Sequence, residues 1–419
     1  MNAPHPPRRR LWLTLGLLGL AAIAVLFAWP RIQLWLTLSA ARTAIAERDY
    51  DTALVHLERA RDQSPNEAEP YFLLARVYRH QGKPDPLRKS LERARDLGFS
   101  NRRIRLEEYL ALAQNGQMTE ALPQLAPLLI ESSADEGQEI CEAYVSGFFA
   151  TYKFAEAFDL MEVWQKDYPK DPQPYFSRGL YEAHAGNHQK AIAELSKGVE
   201  LAPRRDDIRR TLAKSLLATQ QFDEAETRLR DLLRRQPRHV ESLTLLGSCL
   251  LEQGQLDEAR TTLAKALEID STDRQARLLT GRVELKAGHP ERAIEWLEPV
   301  VKELPYEFDA RFQFGTALQQ AGRGDEAVEH LQFVAAAQTA LARVRNLMID
   351  ARNDPDNAAA RLEIGLTLLK YESPEAGANW LRNVLELDPD NAKAHAGLAE
   401  YYDQRGDHDR AALHREKAE

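Results

Sequence analysis

The sequence predicts an all-α protein: a solenoid of helical hairpins preceded by one membrane-spanning helix. Three observations predict it. Small and large apolar residues recur with a period of 34 over most of the chain. Glycine and proline fall between paired runs of helical periodicity. An uncharged, apolar run of 19 residues, opening at Leu11 and closing at Trp29, stands before the array.

The N-terminus comes first in order. Residues 1–10 form a short tail ending in Arg8, Arg9 and Arg10. The run 11–29 would span roughly 28 Å as a helix, close to the hydrocarbon thickness of a bilayer. Trp12 and Trp29 sit near its ends, where interfacial aromatics gather. An uncleaved anchor is therefore expected. A signal peptide is the rival reading, with Ser39, Ala40 and Ala41 as a late cleavage site, but that site lies inside the first repeat. The three arginines before the run outweigh the spread Arg31, Arg42 and Arg48 after it. The expected topology has the N-terminus in the cytoplasm and the repeats extracytoplasmic, periplasmic in a bacterium.

Residues 172–205 show the repeating unit most clearly: PQPYFSRGLYEAHAGNHQKAIAELSKGVELAPRR. Tyr175, Gly179 and Leu180 share one side of a first helix, and Gly186 stops it. Ala191, Leu195 and Val199 line a second helix, and Pro203 marks its end. Gly179 and Ala191 are small where the two helices must approach. Steps of 34 carry Ala191 to Ala157, Ala225, Ala259, Ala293 and Ala327, and Gly179 to Ala213, Gly247, Gly281 and Gly315. A hairpin of this size cannot bury its apolar faces alone, so stacking on neighbours is required.

These columns resemble the tetratricopeptide repeat, whose signature has a small residue at position 8, Ala at 20, a large apolar at 24 and Pro at 32. Counted so, units begin at Leu34, Ala68, Arg102, Gln138, Pro172, Asp206, Val240, Arg274, Phe308, Ala358 and Ala392. Repeats 1–9 occupy residues 34–341, a helical extension or kink 342–357, and repeats 10 and 11 with a polar C-terminal cap 358–419. Repeats 2 and 3 are degenerate. Pro123 falls early in a second helix, where the first turn tolerates it, and Glu136 and Gly137 are two extra residues before repeat 4. Between Asp325 and Ala351 there is no Pro or Gly, so the second helix of repeat 9 should be elongated. The resemblance implies a right-handed superhelical solenoid with a concave groove.

Function is less legible. The net charge of −9, with both signs interspersed, points away from a nucleic-acid surface. No glycine-rich phosphate loop, nucleophile elbow or zincin helix is present, and the eleven histidines are scattered. No catalytic, cofactor or metal residues are expected, and the chain reads as a non-enzyme. Cys141 and Cys249 lie three repeats apart, too far for a disulfide, and are expected as buried thiols. The resemblance implies that positions 2, 5, 9, 12 and 13 of each first helix face the groove. That selects Phe176, Leu180, His184, Arg210, Lys214, Arg282, Lys286 and Phe312 as partner-binding residues, with Leu251 and Leu278 beside them. Apolar residues interleaved with cations would suit a protein partner presenting a peptide or helix with acidic residues. The expected function is a membrane-anchored scaffold for protein–protein contact. The alternative is an assembly factor in envelope biogenesis, for polysaccharide, lipopolysaccharide or cytochrome maturation.

Overall fold

The computed structural model describes residue 29 and residues 31–151, 153–354 and 356–419. The expected anchor, 11–29, therefore lies outside the described residues except for Trp29. Among the described residues no helix is long and apolar enough to cross a membrane. Those residues form α-helices, one 3-10 turn and connecting turns, with no strand. The chain divides into two compact units, one ending at Gln221 and one beginning at Phe222.

In the first unit α1 covers 31–46. It is followed by α2 (Tyr50–Gln63), α3 (Ala68–His80), α4 (Pro84–Asp96), α5 (Asn101–Gln114) and α6 (Met118–Ala121). Then come α7 (Leu125–Glu131), α8 (Ala134–Ala150), α9 (Phe154–Asp167), α10 (Gln173–His184), α11 (His188–Leu201) and α12 (Asp206–Ala218). The second unit holds α13 (Phe222–Arg235), α14 (Val240–Glu252), α15 (Leu256–Ile269), α16 (Arg274–Lys286), α17 (Pro290–Glu303) and α18 (Phe308–Gln320). It ends with α19 (Gly324–Asn353), α20 (Ala358–Tyr371), α21 (Pro374–Leu387), α22 (Ala392–Gln404) and α23 (His408–Glu416).

The 34-residue columns are the contacts that close each hairpin. A Cβ placed on Gly247 would lie 2.5 Å from Leu263 Cγ, and one on Gly281 2.5 Å from Leu297 Cγ. On Gly179 it would lie 2.6 Å from Leu195 Cγ. The glycine is what lets the leucine of the second helix seat against the first. Ala191, Leu195, Ala259, Leu263, Ala293 and Leu297 are fully buried there, each leucine contributing about 1.5–3 kcal/mol by leaving water.

One local expectation is corrected. Pro123 is not absorbed in a first helical turn. The second helix of repeat 3 breaks into α6, a 3-10 turn at Leu122–Gln124 and α7. Proline supplies no N–H and crowds the preceding turn, and Pro127 follows it inside α7. Glu136 and Gly137, the two extra residues before repeat 4, are helical. They belong to the first turns of α8, which a capping box between Ser133 and Glu136 starts early. The elongated helix of repeat 9 is α19, 30 residues long.

Candidate functional site

The first unit gathers its charged side chains from consecutive first helices. The turn between α1 and α2 contributes Arg48, at φ 59°. Steps of 34 from Arg48 land on Gly82 and Gly116, both at positive φ. A non-glycine residue there carries a steric cost of roughly 1–2 kcal/mol, so the Arg48 side chain must compensate. Its Nη1 donates to Tyr50 Oη at 2.6 Å and lies 3.0 Å from His80 Nδ1, and its Nη2 donates to Glu142 at 2.5 Å. The Tyr50 and His80 rings stack at 5.2 Å.

The network continues inward. Arg79 Nε and Arg76 Nε donate to the two oxygens of Glu107, each at 2.8 Å. Arg79 also donates to Gln114 Oε1 at 3.0 Å and pairs with Glu139. Gln173 donates to Glu142 at 3.0 Å and accepts from Arg205 at 2.9 Å. Helices α3, α5, α8 and α10 are thus tied to the α1–α2 turn and to Arg205, at the N-cap of α12, by buried polar bonds. Satisfied networks of this kind fix one arrangement, because any orphaned member is costly.

Burial opposes charge on Glu139, but Arg79 and then His80 outweigh it and hold the carboxyl well below its usual range. Glu107 is lowered in the same way, burial being overcome by Arg79 and Arg76. Burial, Arg79 and Arg48 all lower His80, against Glu139 and Glu142, so the imidazole's pKa lies below its usual value. His80, Glu139 and Glu142 place donor atoms within 4.8 Å of one another. Arg79 and Arg48 already occupy those carboxylates, and a metal ion would have to displace Arg79 from Glu139 and Arg48 from Glu142, leaving the buried Arg48 without a carboxylate. The donor set is therefore an ion-pair core and does not fit a metal.

Above this core opens a cavity of about 550 Å³, lined by Arg42, Arg76 and Arg103 on the α1, α3 and α5 side and by Glu139, Glu142 and Asp171 among others. Arg42 pairs with Glu69 at 2.6 Å near the surface. Arg103 makes no ion pair with any described residue. Its guanidinium lies 4.7 Å from the Phe72 ring centre and 5.3 Å from that of Phe99, while Arg76 approaches Phe72 at 5.4 Å. Burial, and then Arg76, lower the Arg103 pKa.

The residues expected to line the groove are divided between the units. In the first, Phe176 is half-buried with the Arg205 guanidinium 5.7 Å from its ring. Leu180 is half-buried, and His184 is exposed in the last turn of α10. On α12, Arg210 is partly exposed and Lys214 exposed. In the second unit Arg282 and Lys286 converge on Glu252, at 2.8 and 3.8 Å, so their charge is already answered within the chain. Phe312 is 49% exposed. Leu251 and Leu278 are not available to a partner: both are buried, Leu278 in a cluster that joins α17 and α18.

The sequence contained the signal for the missed site. Positions 2, 5, 9, 12 and 13, read on the first four repeats, include Arg42, Glu69, Phe72, Arg76, Arg79, His80, Arg103, Glu139 and Glu142. Glu107, at position 6, and Arg48, at the glycine of the turn, fall outside that rule, as do Tyr50, Phe99, Asp171 and Arg205.

Family models described as tetratricopeptide repeat match residues 44–96, and 210–274 with 362–418. No curated protein matches the chain. Among solved structures, a crystal structure of MamA protein is similar at 22% identity over 38% of this chain and 88% of that one, with a TM-score of 0.33. A human IFIT1 dimer with PPP-AAAA is similar at 16% identity over 84% and 90%, with a TM-score of 0.41. A human IFIT1 dimer with m7Gppp-AAAA gives 16%, 84% and 89%, with a TM-score of 0.43. None of these likenesses bears on what the chain binds. The hairpins within residues 44–96, 210–274 and 362–418 are tetratricopeptide repeats.

Proposed function

We propose that this chain is a membrane-anchored scaffold that holds an acidic segment of a protein partner in the cavity of its first four repeats, without catalysis of its own. Tetratricopeptide repeats serve generally as scaffolds for protein–protein contact, which makes a protein the expected ligand. The observation that carries the reading is Arg103: a half-buried guanidinium, braced on Phe72 and Phe99, beside Arg76 and without an acidic partner among the described residues. A carboxylate entering the cavity would relieve the repulsion between the two arginines and form a charge-assisted, planar hydrogen-bonded pair. Run 11–29 is the proposed anchor, holding repeat 1 close to the bilayer with the array extracytoplasmic.

Binding of a labelled peptide of alternating leucine and glutamate to the full chain in detergent tests the cavity. Arg103→Glu should abolish binding and Arg103→Lys should weaken it, whereas Arg88→Glu on α4, whose side chain is well exposed, should change little. Equal effects of Arg103→Glu and Arg88→Glu would overturn the site. A reporter fused after Glu419 should be active only outside the cytoplasm. Activity confined to the cytoplasm, or a mature N-terminus near Ala41, would overturn the anchoring.

A further inference from the structure

The second unit carries a cleft of opposite character, made where the repeat rhythm breaks. In α19 the second helix of repeat 9 runs on for about half a repeat before α20 begins. The turn between α20 and α21 consequently lies across from the turn between α17 and α18, and the extension itself supplies Leu341 to the wall. The space between them encloses about 790 Å³.

Its walls are apolar and its charges are of one sign. Leu304, Tyr306, Phe308 and Leu341 line it, and all four charged residues lining it are carboxylates: Glu303, Glu307, Glu372 and Glu375. Glu303 is answered by Arg274 at 3.0 Å and Arg277 at 3.4 Å, and Glu375 by Arg405. Glu307 and Glu372 make no ion pair with any described residue, and both are exposed. Arg311, the other nearby cation, is drawn away from the cleft: it lies 3.8 Å from the Phe333 ring centre and 3.9 Å from Glu329. The phenol of Tyr306 reports the same field. Burial raises its pKa first, then Glu400 and Glu375, with Arg311 opposing.

We infer that this cleft is a second docking site, which receives a basic segment of a protein partner bearing arginine or lysine next to an apolar side chain. An apolar wall beside two unanswered carboxylates is complementary to a cation on a hydrophobic stem, and less so to a bare polyamine, which cannot use the wall. The site is independent of the acidic-segment cavity, lying in the other unit with the opposite charge preference.

The test uses the full chain in detergent and a fluorescent peptide of alternating leucine and arginine, read by anisotropy. The peptide should bind, and binding should weaken as salt rises. The double substitution Glu307→Gln with Glu372→Gln should weaken it about tenfold at an unchanged melting temperature. The equally charge-reducing pair Glu268→Gln with Glu295→Gln, exposed and outside the cleft, should leave it nearly as tight. A peptide with serine for leucine should bind more weakly, and one with glutamate for arginine should not compete. Three results would each overturn the inference: equal weakening by both double variants, spermidine competing as well as the leucine–arginine peptide, or competition by the acidic peptide.

Discussion

Arg48 and Glu142 meet at 2.5 Å across 94 residues of sequence, joining the turn after α1 to α8. Side-chain exposures of 14% and 13% place the pair largely out of water. The backbone of Arg48 sits at φ 59°, so the position trades a glycine's conformational ease for a guanidinium that reaches Glu142, Tyr50 and His80. Gln220 repeats the backbone feature at φ 60°, one step of 34 after Gly186 and one before Gly254, both at positive φ, but its side chain is exposed.

These two residues should respond oppositely to the same change. Gln220→Gly relieves the left-handed strain and loses little else, so it should stabilise by a few tenths to about 1 kcal/mol. Arg48→Gly relieves similar strain but leaves Glu142 short of its cation. Breaking a buried pair from one side costs about 3–5 kcal/mol, which leaves a net loss of roughly 2–4 kcal/mol. Urea denaturation of the two variants decides it. If both shift the midpoint the same way, the Arg48 side chain contributes nothing beyond its neighbours.

The hairpin glycines should be intolerant of bulk. In Gly247→Leu the first added carbon already meets Leu263 at 2.5 Å, and overpacking of this kind costs about 1–3 kcal/mol. Glu268→Gln, exposed on the next helix, should lie within about 0.5 kcal/mol of the parent. Equal melting temperatures for the two would contradict the contact.

Neither thiol should react in the folded chain. Burial pushes Cys141 up to about 12, with Asp167 and Asp171 adding to it, and burial pushes Cys249 up to about 11, with Glu226 adding. Cys249 Sγ also donates to the Phe222 carbonyl at 3.3 Å. Iodoacetamide at neutral pH should label both only after denaturant is added, since the thiolate is the nucleophile. Labelling of native protein at the rate of a small thiol would refute the buried placement.

The repeat architecture was legible because one spacing determines two things together. Gly247 and Leu263 are sixteen apart in sequence and in contact, so a column of small residues and a column of leucines report the same packing. The site was not read, for a physical reason. Arg48, Arg79, Glu107, Glu139 and Glu142 depart from the repeat signature, and that signature is what the periodicity detects. Polar residues at inward positions look like a solvated face until their partners from other repeats are seen. Leu251 and Leu278 differ in the opposite sense: these two apolar residues at inward positions are buried in the array.

Acid should weaken the first unit in two stages. His80 has a folded pKa below its unfolded value near 6.5. As pH falls past about 6.5 the unfolded chain takes up a proton that the folded chain refuses, so the contribution of His80 is lost toward its folded pKa. Glu107 and Glu139 have depressed folded values too. Their contribution is full above the unfolded carboxylate value of about 4.3 and disappears as pH falls through the folded ones. Asp171 works the other way: burial raises its carboxyl, so protonation favours the fold and partly offsets the loss. The groups facing His80 are Arg48, Tyr50, Arg79, Glu139 and Glu142; Arg48, Tyr50 and Arg79 are held above their ordinary values and Glu139 below its own, so none of these four changes charge in the upper stage. His80→Gln should therefore flatten the decline in urea midpoint between about pH 7 and 5 while keeping the steeper loss below about pH 4.5. A variant whose midpoint falls in parallel with the parent over the upper range would show that His80 titrates normally and is not lowered by burial, Arg79 and Arg48.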